Sequence, residues 1–140
     1  MTDKYIYYRK GYKYQLAEDY KIKTDIKPPS EINTQFVSLD ISGLLIVKSG
    51  YAWDGTSGPV IDNNENQRAS LVHDALYQLM RQKHLKPRKN YKDKADKLFR
   101  EVCKKDGVPS PVAQLYYEAL KKFGKPATDP KNAKKFYKAP

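Results

Sequence analysis

The chain has 140 residues, enough for one domain around one core, with 39% hydrophobic and 31% charged residues and a net charge of +11. No apolar run approaches the roughly 18 residues of a membrane span, and the opening MTDKYIYYRK lacks the apolar stretch of a signal peptide. A lone cysteine, Cys103, excludes a disulfide framework and a cysteine zinc cluster, and fits a reducing compartment.

The basic excess points to an acidic partner: nucleic acid, a membrane surface or an acidic protein. The 22 lysines and five arginines are spread over the whole chain, however, and bidentate readers of bases and phosphates favour arginine. Ordinary solvation of a basic protein explains the same composition.

Residues 4–9, 12–17, 20–27, 34–39 and 43–49 read as strands. The first two are rich in tyrosine, residues 20–26 alternate lysine with apolar side chains as a strand with one wet face does, and residues 44–47, Leu-Leu-Ile-Val, read as a central strand. The tyrosines could stack bases, but they equally suit strand packing with hydroxyls at the rim. Residues 48–66 form a connector with three glycines (Gly50, Gly55, Gly58), Trp53, Asp54 and Asp62. Glycines let such a loop bring several backbone groups to one point. Its length suggests function, although a tight connection plugged by Trp53 is the plainer alternative.

Helical periodicity follows. Ala69, Val72, Leu76, Leu79 and Met80 mark a buried stripe over residues 69–80. His73 lies on that stripe, Asp74 about 100° further round, and Tyr77 one turn on. A basic loop at residues 83–90, broken by Pro87, leads to a second helix over residues 91–106. Its core face holds Ala95, Leu98, Phe99, Val102 and Cys103, and Asp96 falls on it. A buried aspartate needs a partner. Ser110 and Pro111 open a third helix with Ser110 as N-cap, and Gly124 ends it. The organisation expected is one α+β domain over residues 1–124, with an N-terminal antiparallel sheet or meander, a glycine-containing loop and three helices. A basic, loosely ordered tail over residues 125–140 follows.

Antiparallel helices pack roughly 8–10 Å apart, so periodicity brings His73 and Asp96 into one seam. A His–Asp hydrogen bond would fix the imidazole tautomer and raise the basicity of the free ring nitrogen, which could activate a water. Asp74 would face the glycine-bearing loop, where Asp54 and the Gly55 carbonyl complete an oxygen set of the kind calcium takes. The same residues could instead form a buried His–Asp–Tyr network that only joins two helices. His84 and Cys103 are assigned no chemistry. No P-loop and no dinucleotide fingerprint is present.

The W-D-G-T-S-G-P block at residues 53–59, H-D-A-L-Y at 73–77, Ala95-Asp96 and residues 116–124 together resemble a bacteriophage-encoded family of domains of unknown function, over about residues 12–124. That resemblance implies a phage or prophage origin, with the protein in the host cytoplasm or the virion, and a virion component among its partners. H-D-x-x-Y on one helix with an aspartate on the next is also similar to secreted A-two-type phospholipases and to the phospholipase domain of parvovirus capsids. The likeness implies His73 as base, Asp96 as its orienting partner, Tyr77 beside them, and calcium at Asp74 with loop carbonyls around Tyr51–Gly58. Those enzymes carry a G-x-G calcium loop, whereas the glycines here are spaced five and three apart.

Overall fold

A computed structural model describes residues 2–9, 14–55, 63–86 and 88–132. Seven short strands precede the helices. β1 (Tyr8–Arg9), β2 (Tyr14–Leu16) and β7 (Ala52–Trp53) form one antiparallel sheet in the order β1-β2-β7. β3 (Tyr20–Lys23), β4 (Ile32–Asn33), β5 (Val37–Leu39) and β6 (Leu44–Val47) form a second, ordered β3-β6-β5-β4. β6 is central, as its apolar run predicts. Its register with β3 sets Tyr20 against Val47 and Ile22 against Leu45, all four buried. Leu44 and Ile46 alternate to a half-buried face.

The strands are shorter than predicted because side chains interrupt them. The segment read as one strand over residues 34–39 is a turn entering β5, with β4 on its other side. Thr34 Oγ1 donates to the Val37 carbonyl at 2.7 Å and accepts from Val37 N at 3.1 Å, closing the hairpin. Thr24 ends β3 by donating to the Gly43 carbonyl at 2.8 Å and accepting from Ile26 N at 3.1 Å. Gly43 has φ +94°, and a Cβ there would collide with the Thr24 carbonyl oxygen, so only glycine fits that turn.

α1 (Gln67–Arg81) is buried along most of its length, and α2 (Arg88–Lys105) and α3 (Ser110–Phe123) follow, α1 packing on α2 and α2 on α3. Ser110, expected as N-cap, is instead the first helical residue, with Pro109 before it. A 3₁₀ turn over Asn64–Asn66 feeds α1. Arg68 fixes that end. It makes a two-pronged pair with Asp106, both bonds at 2.9 Å, and donates to Tyr20 Oη at 2.9 Å. One guanidinium thus ties α1 to the end of α2 and to β3.

Residues 125–132, read as the start of the tail, include two short helical segments. α4 (Lys125–Thr128) and a 3₁₀ turn over Pro130–Asn132 lie against α1. Thr128 is buried, and Arg81 Nη1 donates to the Ala127 carbonyl at 2.8 Å. The rest of the tail, Gly11, and residues 56–62 with Gly58 and Asp62 lie outside the described residues. Among the described residues no helix is long and apolar enough to cross a membrane.

Candidate functional site

Asp96 is fully buried on α2 and gathers three donors. His73 Nε2 lies 2.7 Å from Oδ1, Tyr77 Oη donates to the same oxygen at 2.5 Å, and Lys92 Nζ donates to Oδ2 at 2.7 Å. His73 and Tyr77 are one turn apart on α1 and share its inner face, as the periodicity requires. Burial pushes the Asp96 carboxyl upward, but the hydrogen bond and charge of His73, joined by Lys92 and Tyr77, hold it below the usual carboxylate range. Asp96 is therefore an ion, and Nε2 of His73 carries the proton it receives. Nδ1 is left as the ring's acceptor, with no protein partner among the described residues. The ring is held from both sides, by Tyr77 at 3.9 Å and by Phe99 edge-on at 5.4 Å between centroids.

A cavity of 150 Å³ borders this ring. At about 30 Å³ per molecule it is room for a few waters or for one end of a substrate. Asp54, Gly55, His73, Asp74, Tyr77 and Arg81 all line it, and Asp96 stands behind His73. The six residues singled out from the sequence (His73, Tyr77, Asp96, Asp74, Asp54, Gly55) are thus brought to one place. A larger cleft of 680 Å³ lies elsewhere, between residues 4–6, the start of α1 and the end of α2, and none of those six borders it.

Asp74 is half-buried and accepts a hydrogen bond from the Tyr51 phenol. Burial raises its carboxyl above the ordinary range, while the Tyr51 hydrogen bond and the positive charge of Arg81 oppose the rise. Asp74, Asp54 and Gly55 line the cavity together, and their oxygens are the ones a cation such as calcium would use there. Arg81 places one positive charge in the same cavity. Among the described residues no group of three or more His, Cys, Asp or Glu side chains gathers around a point.

Four members of the site were not read from the sequence. Lys92 sits four residues before Asp96, an i,i+4 pair that the sequence does display; its ammonium also donates to the Leu120 carbonyl at 2.9 Å, tying α3 to the pair. Arg81 follows Tyr77 by one turn. Ser70 accepts from the Trp53 indole at 3.1 Å and donates to the Gln67 carbonyl at 2.9 Å, which seats the loop against α1. Tyr51 reaches Asp74 across 23 positions, a contact with no local signal.

Residues 30–120, more than half of the chain, match the family described as "Protein of unknown function (DUF1353)". The chain belongs to that family. The DUF1353 match begins at residue 30, beyond β3, whereas the resemblance was expected from about residue 12; it takes in every residue of the site named above. No curated protein and no solved structure matches the chain.

Proposed function

We propose that this DUF1353 domain is a hydrolase in which His73 is the general base. The observation that carries the reading is the pairing of Nε2 with a buried, ionised Asp96 while His73 also lines the cavity. Nδ1 would take a proton from a water in the cavity, the resulting hydroxide would attack an ester carbonyl, and the imidazolium would return the proton to the departing alkoxide oxygen. Asp96 would hold the ring in the Nε2–H tautomer and stabilise the imidazolium, with Tyr77 and Lys92 keeping the carboxylate ionised and fixed. Asp74, Asp54 and Gly55 would be the residues to hold a calcium ion, which would supply Lewis-acid chemistry at the ester. The cavity admits only the reacting end of a substrate, which suits an ester at the end of a long molecule. A phospholipid ester is the substrate class we infer, in keeping with the likeness of the His73–Asp96 helix pair to A-two-type phospholipases.

A panel of phospholipids, simple esters and peptidoglycan, assayed with and without calcium by titration of released acid, tests the reading. Hydrolysis of the phospholipids supports it, and silence across the panel defeats it. Calorimetric titration with calcium tests Asp74 and Asp54 separately.

Lys92 favours a second reading. A buried carboxylate already neutralised by an ammonium has less charge to offer an imidazolium, and the same ammonium ties α3 to α2. On that reading the network is architecture. The protein is then a non-catalytic phage structural or accessory component whose basic surface meets a virion protein or nucleic acid.

A further inference from the structure

α3 carries apolar side chains on two sides. Ala113, Tyr117 and Leu120 are buried on its inner face. Val112, Leu115 and Phe123 remain 36%, 62% and 58% exposed. With half-buried Ala119 they occupy a second stripe about 80° wide at helical spacing. The core does not use this stripe.

Its C-terminal end is cationic. Residues 119–128 hold three lysines and no acid. Lys122, beside Leu115 round the helix, and Lys125, just past its end, are exposed and form no ion pair among the described residues, whereas Lys121 lies nearly opposite the stripe with its charge near Asp93. Lys122 Nζ lies 5.3 Å from the centroid of the Phe123 ring, so charge and apolar surface are contiguous.

We propose that this stripe docks the protein on an anionic phospholipid surface, Leu115 and Phe123 entering the interface and Lys122 and Lys125 meeting the headgroups. An apolar ridge beside lysines is the pattern of a helix lying in the plane of a membrane surface. A second copy of the chain is the poorer occupant. The three side chains expose on the order of 300 Å², against about 800 Å² per partner in a stable interface. Two copies each carrying +11 also repel.

Leu120 and Ala127 line the cavity at His73, and they flank Phe123 in the chain. The docking end of α3 is thus the end that adjoins the cavity in the chain. The docking itself does not depend on His73 being a base, and goes beyond the hydrolytic reading.

Co-sedimentation of the full chain with vesicles tests the proposal, without calcium so that binding is read apart from hydrolysis. One set is phosphatidylcholine alone and the other an equal mixture with phosphatidylglycerol. The mixed vesicles bind the protein more tightly. Leu115→Ser and Phe123→Ser each lower the partition coefficient about tenfold, and Lys122→Gln and Lys125→Gln each lower it about fivefold. All four positions are exposed, and unchanged melting of each variant confirms its fold. No binding to mixed vesicles overturns the proposal. So does a loss confined to the lysine variants, which is adsorption of a basic protein, and so does lipid-free self-association abolished by Leu115→Ser, which makes the occupant a second copy. Vesicle binding together with silence across the ester panel, with and without calcium, defeats the catalytic reading alone.

Discussion

Replacing Asp96 by asparagine keeps the shape of the side chain and one acceptor oxygen for His73 and Tyr77. The other oxygen becomes an amide that points two hydrogens at Lys92 Nζ, now 2.7 Å from a group that can only repel it. Breaking one side of a buried ion pair costs about 3–5 kcal/mol, chiefly because the remaining charge is stranded. The Lys92 side chain is 15% exposed and retains the Leu120 carbonyl, so it has a partial escape to water. The expected loss is therefore at the low end, about 3 kcal/mol, or a fall of about 10 °C in melting temperature for a domain of this size. Thermal and urea unfolding followed by circular dichroism at pH 7 measure it. The difference between wild type and variant also depends on pH. Because the folded carboxyl lies below its unfolded value, Asp96 contributes stability that is present above the unfolded value near pH 4 and is lost as pH falls further toward the folded one. The two proteins should therefore converge in acid. A cost under about 1 kcal/mol at pH 7, or a gap that widens as pH drops below 4, refutes the picture of a buried, ionised hub.

Gly124→Ala should cost about 1–3 kcal/mol, since the added Cβ would strike the Tyr77 phenol and come within 2.6 Å of the Leu120 carbonyl; unfolding at wild-type denaturant would show that Tyr77 does not pass so close. Tyr51→Phe removes a hydrogen bond that holds the Asp74 carboxyl down, so that carboxyl should titrate higher still in a carbon-13 NMR titration, and an unmoved or lower value would contradict the contact. Cys103 is fully buried, and burial pushes its thiol up to about 12; at pH 8 the native protein should react with iodoacetamide about 1,000-fold slower than the urea-unfolded chain, and comparable rates would mean the α2 core face opens readily.

The parts of the site legible in the sequence were those governed by helical period. His73, Tyr77 and Asp96 fall on inner faces because three- and four-residue spacings repeat their position on a helix, and the α1–α2 seam then follows from packing. Asp74, Asp54 and Gly55 reach the same cavity because one step round α1 faces the connector that precedes it. Lys92 obeys the same spacing rule. A lysine on a charged helix nevertheless reads as solvent-facing, although its stem can lie along the protein while the ammonium turns inward. The contacts of Tyr51 with Asp74 and of Gly124 with the Tyr77 phenol join residues 23 and 47 positions apart, and nothing local encodes them. Strand limits were the least legible part of the fold. Thr24 and Thr34 look like good strand residues, yet each turns its hydroxyl back on the backbone and ends or precedes a strand.

The hydrolysis rate of His73→Asn on phospholipid vesicles, beside that of wild type, tests the central claim most directly. Asparagine keeps a side-chain amide to meet Asp96 but offers no basic nitrogen to the cavity. The account predicts measurable wild-type turnover and a loss of at least about 100-fold in the variant, with melting temperatures close enough to show that both are folded. Equal rates in the two proteins, or a wild type that releases no fatty acid with or without calcium, would contradict it.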